Sequence, residues 1–364
     1  MLCILAFIIF LIFFPILGFF PEYRSLFRKS WICVFKKVTF KPCDINLGEE
    51  LKNKFLGKFI FKYPKFTKFI DKTFSFWAFL FILINIWSLL AVFQSGINLW
   101  VYDTCDPVSS EGCSLSGEAC GVASNQLDFT TAYNSGKLGD YAVQPFKVLG
   151  DTVSRIPDRL KSWKSGDYIS PTATYLNKFD ATKPTAVEFI DPGCQYCRKL
   201  FENIKSAGFA DKYNLTYVVY PIPDAKNTAN NGWKFQASYI IASYMEAVKQ
   251  VPQTNQKSQN PADWQLLEVL FTIPDGKSDI QNNFNNVMSK KDIPTEIEKI
   301  LSQIGYNTDE IAKIRELSTS DKVKQSLTTQ KDIVENKLKT IKIPTIVFAG
   351  RRYDRVVDVD TLKR

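Results

Sequence analysis

Residues 185–204 read Thr-Ala-Val-Glu-Phe-Ile-Asp-Pro-Gly-Cys-Gln-Tyr-Cys-Arg-Lys-Leu-Phe-Glu-Asn-Ile. Ala186–Ile190 is mostly apolar and ends at Asp191-Pro192-Gly193, the pattern of a strand running into a turn. After the turn, Cys197, Leu200, Phe201 and Ile204 recur at i, i+3, i+4 and i+7, which is helix spacing. Cys194 therefore lies at the mouth of a helix, with Cys197 one turn in. Unpaired backbone N–H groups and the positive end of the helix dipole favour a thiolate there. A lowered pKa makes the first sulfur a ready nucleophile and a good leaving group. A thiol three residues on can attack the resulting mixed disulfide, so the spacing supplies a nucleophile, Cys194, and a resolving thiol, Cys197.

Two plainer readings compete. Half a zinc site needs a second pair of ligands, yet the chain has no other C-x-x-C and no histidine. An inert structural disulfide is the other. A C-x-x-C bridge at a strand–helix turn is generally exchangeable, and an extracytoplasmic site permits oxidation. The lack of histidine also removes a His-dependent triad, an imidazole base and His-ligated haem or iron.

Glu188 lies six positions before Cys194 inside the apolar strand. A carboxylate there is costly to bury without a task. Turned inward, it can relay the proton that Cys197 must lose; turned outward, it is an ordinary surface residue. Lys342-Ile343-Pro344-Thr345-Ile346-Val347-Phe348-Ala349-Gly350 is a second strand, with a proline at its start that cannot donate to a ladder.

Together these segments resemble the thioredoxin superfamily, in particular the extracytoplasmic disulfide oxidoreductases of the DsbA type. The matching pieces are the strand Ala186–Ile190, Cys194-Gln195-Tyr196-Cys197 opening a helix, the strand Leu215–Tyr220, and Ile343-Pro344-Thr345 leading into Ile346–Ala349. Gly350–Tyr353 resembles a tight turn to a last strand at Arg355–Val359. A helix-prone insertion at about residues 228–340 (Phe235–Val248, Trp264–Phe271, Glu296–Ile304, Lys322–Leu338) resembles that of the DsbA-like branch. The resemblance covers residues 168–364 and implies an α/β thioredoxin-like fold. It makes Cys194 the attacking cysteine and Cys197 the resolving one. Glu188 becomes the buried glutamate, and Tyr196, Ile343, Pro344 and Thr345 the peptide groove. It implies a cis bond at Pro344, a form found in only about 5–6% of X–Pro bonds. No metal or organic cofactor is needed, because electrons move through sulfur. Gln195-Tyr196 replaces the Pro-His of strongly oxidising members, so a less oxidising couple is expected. The last helix of the fold is expected to be short or missing.

The rest of the chain reads on its own. Residues 1–20 carry no charged side chain, and neither do residues 73–102. About 20 apolar residues cross a hydrocarbon core of about 30 Å. The segments 1–20 and 74–102 are therefore expected to be transmembrane helices. A cleaved signal peptide would need a positive n-region, which the first run lacks. Residues 21–73 hold 13 Lys/Arg against 5 Asp/Glu, whereas residues 103–364 hold 33 against 32. Of the net charge of +9, +8 thus belongs to one loop. By the positive-inside rule that loop is cytoplasmic, so the N-terminus and the catalytic region lie on the extracytoplasmic, or periplasmic, side of a two-pass inner-membrane protein. Lys interleaved with Phe, Ile and Tyr suits an anionic lipid surface, and no nucleic-acid module is recognised.

Residues 103–167, rich in Ser, Gly, Asp and Asn, read as a linker carrying Cys105, Cys113 and Cys120. This trio is either one linker disulfide with a spare thiol or a relay that exchanges disulfides with Cys194 and Cys197. The expected partners are cysteine-containing extracytoplasmic proteins and a membrane redox partner. Oxidase ranks ahead of reductase, because isomerases usually carry a dimerising domain and residues 103–167 look too flexible to form one. The rival is a non-catalytic scaffold of a membrane or secretion complex that keeps the fold.

Overall fold

The computed structural model describes residues 32, 73, 76, 87–102, 119–121, 127, 129–225, 227–255, 258–272, 279–340 and 342–364. The chain divides into two units, Met1–Gly96 and Ile97–Arg364. In the first, the described residues are all helical. The first apolar run, residues 1–20, lies outside the described residues, as do most of the basic loop and much of the second run. Among the described residues no helix is long and apolar enough to cross a membrane.

The second unit is built on a sheet of β2 (Thr185–Ile190), β3 (Asn214–Val219), β5 (Thr345–Phe348) and β6 (Arg351–Tyr353), in the order β3-β2-β5-β6. A two-stranded ladder joins β1 (Cys120–Gly121) to β4 (Lys342–Ile343). β2 is central: β3 runs parallel on one side and β5 antiparallel on the other. All but the first of its residues are buried, which is why Ala186–Ile190 reads as an apolar run rather than an alternation. A parallel pair needs a crossover, and here it is the helix that opens at the C-x-x-C. Ile343–Pro344 is cis. This sheet order, the helix-mouth cysteines and the cis-proline together form the thioredoxin-like arrangement that the resemblance implies.

The last strand falls at Arg351–Tyr353, not at Arg355–Val359. Ala349 and Gly350 both take positive φ, 49° and 74°, so the chain reverses in two residues and pairing resumes at once. Residues 359–363 are instead helical, capped by the Asp358 side chain accepting from the Thr361 N–H.

Among the helices, α1 (Phe129–Asn134), α2 (Leu138–Ser154) and α3 (Ile156–Leu160) occupy the stretch read as a linker. Its described part is therefore ordered. Trp163 and Tyr168 are buried, and the Trp163 N–H donates to the Gly350 carbonyl. Thr152 of α2 donates to Asn98 at 2.7 Å, which ties α2 to the helical residues 97–102. α1 and α2 bury only Ala132 and Thr152, so no buried apolar face marks them within a polar, turn-rich stretch.

The crossover is α4 (Gln195–Ser206) followed by α5 (Phe209–Lys212). The apolar face of α4 is Cys197, Leu200, Phe201 and Ile204, as its spacing predicts. The insertion supplies α6 (Ser238–Val248), α7 (Ala262–Phe271), α8 (Ile293–Ile304), α9 (Thr308–Ser318) and α10 (Asp321–Asp332). Aromatic rings join it to α4 and to β3. Phe201 meets Phe271 at 5.8 Å and Tyr217 meets Trp264 at 4.8 Å, both edge-on. Gln330 of α10 accepts the Val219 N–H at 2.8 Å. α9 was not foreseen, although Asn307 and Glu310 form a complete capping box that marks its start. Val359–Lys363 form a short helix, α11.

Candidate active site

The turn between β2 and α4 is held by Asp191. Its carboxyl accepts from the Gly193 N–H at 2.7 Å, the Ile222 N–H at 2.8 Å and the Ser238 hydroxyl at 2.5 Å. Burial pushes this carboxyl up to about 6, against those hydrogen bonds and the nearby Lys234 charge. Glycine at 193 is required by space: a Cβ there would lie 2.5 Å from Ser238 Oγ and 2.6 Å from Phe235 Cβ. Two side chains of the insertion grip the same turn from outside. Gln281 donates to the Pro192 carbonyl at 2.7 Å and Asn285 to the Gly193 carbonyl at 2.8 Å. The insertion thus braces the turn between β2 and α4.

Cys194 is the N-cap of α4. Its Sγ is bonded to Cys120 Sγ at 2.15 Å, with the two Cα atoms 6.7 Å apart. The same sulfur lies 3.8 Å from the Ile343 carbonyl. Cys120 is aligned opposite Ile343 and Gly121 opposite Lys342, antiparallel. The Gly121 carbonyl accepts from Lys234 Nζ at 2.8 Å. Residues 120–121 therefore add a strand to the edge formed by the residues before the cis-proline, a recurring way of holding an extended peptide. The Lys342 ammonium, itself buried, donates to the Tyr102 carbonyl at 3.2 Å, fixing β4 from behind.

Cys197 is a free thiol with no exposed surface. Its Sγ accepts the Asp191 N–H at 3.4 Å. Burial pushes the thiol well above its ordinary range; this N–H pulls the other way, while the Glu188 and Asp191 charges add to the rise. Cys197 is thus held protonated until a base takes its proton. Glu188 faces inward: it is fully buried, neither carboxyl oxygen has a hydrogen-bond partner, and burial pushes it up to about 8. A carboxyl that titrates near neutrality, in electrostatic reach of a buried thiol, is suited to proton transfer.

The structure brings Cys194, Cys197, Glu188, Ile343 and Pro344 together. Tyr196 is half-buried against the core. Thr345 does not line a groove. It is fully buried, and its hydroxyl lies 2.7 Å from the Lys342 carbonyl, 2.8 Å from Asp354 and 3.0 Å from the Thr340 hydroxyl. Thr345 therefore braces the turn around Pro344 from inside, and Asp354 in turn pairs with Arg352 at 2.8 Å. Of the linker trio, Cys120 reaches the site, and Cys105 and Cys113 lie outside the described residues. Sequence reading missed Asp191, Ser238, Lys234, Gln281 and Asn285. Only Asp191, at the head of an Asp-Pro-Gly turn, carried a local signal. Among the described residues no group of three or more His, Cys, Asp or Glu side chains could hold a metal ion.

No protein-family model and no curated protein matches the chain. Several solved structures are similar to part of it. BdbD from Bacillus subtilis, in its oxidised form, is 19% identical and has a TM-score of 0.36, over 53% of this chain and 89% of that one. A thioredoxin-like oxidoreductase from Silicibacter pomeroyi DSS-3 is 18% identical with a TM-score of 0.36, over 53% and 90%. Proteus mirabilis ScsC in a compact conformation is 13% identical with a TM-score of 0.36, over 64% and 90%.

Proposed function

We propose that this chain is a protein thiol–disulfide oxidoreductase working through Cys194 and Cys197. The observation that carries the reading is the geometry at Cys194. The sulfur of the residue at the N-cap of α4 forms a disulfide to an extended segment paired beside a cis-proline, with a second thiol buried three residues on. In the oxidising direction, a substrate thiolate attacks Cys194 Sγ of the Cys194–Cys197 disulfide, and Cys197 leaves. A second substrate thiolate then attacks the substrate sulfur of the mixed disulfide. The substrate departs oxidised and the pair is left reduced. In the reducing direction Cys194 attacks, and Cys197, deprotonated by Glu188, resolves. Oxidation of extracytoplasmic proteins is the preferred direction, with recharging by a membrane redox partner.

The charge pattern supports anchoring by residues 1–20 and 74–102, with the basic loop on an anionic inner leaflet and the redox unit outside. Protease added to intact cells should then cut within residues 168–364; protection of that region would reverse the topology. The activity is tested by the Cys194→Ser chain. It should lose both oxidation of a dithiol peptide and reduction of insulin. Unchanged rates in both assays would favour a scaffold that keeps the fold without the chemistry.

A further inference from the structure

We infer that Cys120 is a third redox cysteine, and that residues 119–121 are a tethered internal substrate whose disulfide with Cys194 is the closed isomer of the active site. The inference rests on the oxidoreductase reading above and concerns how that site is regulated and what it accepts.

A linker disulfide made only to staple the chain would need no particular approach. Cys120 arrives in register, opposite Ile343, and its neighbour Gly121 pairs with Lys342 and takes a hydrogen bond from Lys234. The attachment is thus a strand addition and a mixed disulfide at once. Bonded in this way, Cys194 has no exposed surface and Cys120 has 5%. An outside peptide finds neither the sulfur nor the β4 edge. The flanking residues, Ala119 and Gly121, are small, so a strand can lie flat in a groove bounded by Lys234 and Ile343.

Cys197 converts the closed isomer to an open one. Its thiolate attacks Cys194 Sγ, the Cys120–Cys194 bond breaks, and the Cys194–Cys197 bond forms. Cys120 leaves as a thiolate and takes up a proton, replacing the one Cys197 gave up. One disulfide and one thiol are present before and after, so no outside oxidant or reductant is involved. The open isomer has a free groove and an oxidised pair, ready for a substrate. A segment tethered in the same chain competes at an effective concentration of the order of millimolar. The enzyme therefore favours partners that present cysteine in an extended strand with small flanking residues, as its own segment does, and rejects cysteines in helices.

The test uses the full chain, oxidised, acid-quenched, alkylated, digested and mapped for disulfides by mass spectrometry. The wild-type chain should contain both the Cys120–Cys194 and the Cys194–Cys197 links. Cys197→Ser should drive nearly all chains to Cys120–Cys194. Cys120→Ser should leave only Cys194–Cys197 and speed the initial reaction with an extended cysteine peptide about ten-fold or more, since access no longer depends on the open fraction. A Cys197→Ser chain without the Cys120–Cys194 link, or a Cys120→Ser chain reacting at the wild-type rate, overturns the proposal. If those failures occur while Cys194→Ser still abolishes exchange, the oxidoreductase reading stands alone. If Cys194→Ser exchanges normally, both fall.

Discussion

The two sulfurs of Cys194-Gln195-Tyr196-Cys197 are three residues apart and live in opposite surroundings. Cys194 meets backbone: the Ile343 carbonyl, the edge of β4 and the strand bearing Cys120. Cys197 meets a sealed interior: Leu200 and Phe201 on its own helix face, and the Glu188 and Asp191 carboxyls. The outer sulfur sits where an extended chain can pair, as residues 120–121 do. The inner sulfur sits beside two buried carboxyls. In the proposed function, exchange with partners and control of the proton are thereby separated by one turn of helix.

The largest break in that comparison is Cys194→Ala. It should remove exchange down to the background of free thiols, measured by insulin reduction and dithiol-peptide oxidation, with the fold retained by circular dichroism.

Glu188→Gln comes next and acts only on the inner side. It should slow the resolution step by roughly 10²–10⁴, read in single-turnover release of a peptide from Cys194, while the first attack on Cys194 changes little. It also has a stability signature. Folding raises this carboxyl from 4.5 to about 8, so the folded chain keeps a proton that the unfolded chain loses near pH 4.5. The stability is fully present below about pH 4.5 and is lost as pH rises through about 8, a loss on the order of 5 kcal/mol. Urea midpoints of Glu188→Gln should lack most of that fall. A smaller fall in the same direction should survive between about pH 4 and 6, because Asp191 is also raised by burial, from 3.8 to about 6.

Gly193→Ala tests the turn that holds both sulfurs. Its Cβ would collide with Ser238 and Phe235, and overpacking of this kind costs about 1–3 kcal/mol. A lower denaturation midpoint and a slower first attack on Cys194 are expected together. The smallest effect belongs to Lys234→Met, which removes the hydrogen bond to the Gly121 carbonyl and the positive charge near Asp191. A shift of a few-fold from the Cys120–Cys194 link toward Cys194–Cys197 is expected, because Lys234 is only half-buried and water can replace its contact.

Much of the site was legible because its signals are local. The apolar run Ala186–Ile190, the Asp-Pro-Gly turn and the i, i+3, i+4, i+7 row of α4 each follow from a few neighbouring residues. Glu188 was legible as an anomaly, a charge inside that run, but its direction was not. On a central strand either face is open until helices are packed on it. The groove role of Thr345 came from the resemblance, which rests on its place beside Pro344; Asp354, Thr340 and the Lys342 carbonyl turn its hydroxyl inward. The final strand was set four residues too late because Ala349, not only Gly350, adopts the left-handed turn conformation, and alanine does not advertise that.

Sequence alone determined the dithiol, its place at a helix mouth, the proline that opens β5 and the concentration of positive charge in residues 21–73. Each depends on neighbours within a turn or on a simple count along the chain. Tertiary structure decided which of three linker cysteines meets Cys194, which way Glu188 faces, and that Asp191 with Ser238, Gln281 and Asn285 clamps the turn between β2 and α4. The clamp's long-range hydrogen bonds span 31 to 92 positions, from Ile222–Asp191 to Asn285–Gly193, and the disulfide spans 74. No local propensity encodes such meetings. They exist because closing the sheet and burying the insertion's aromatic rings leave those backbone edges and side chains one place to go.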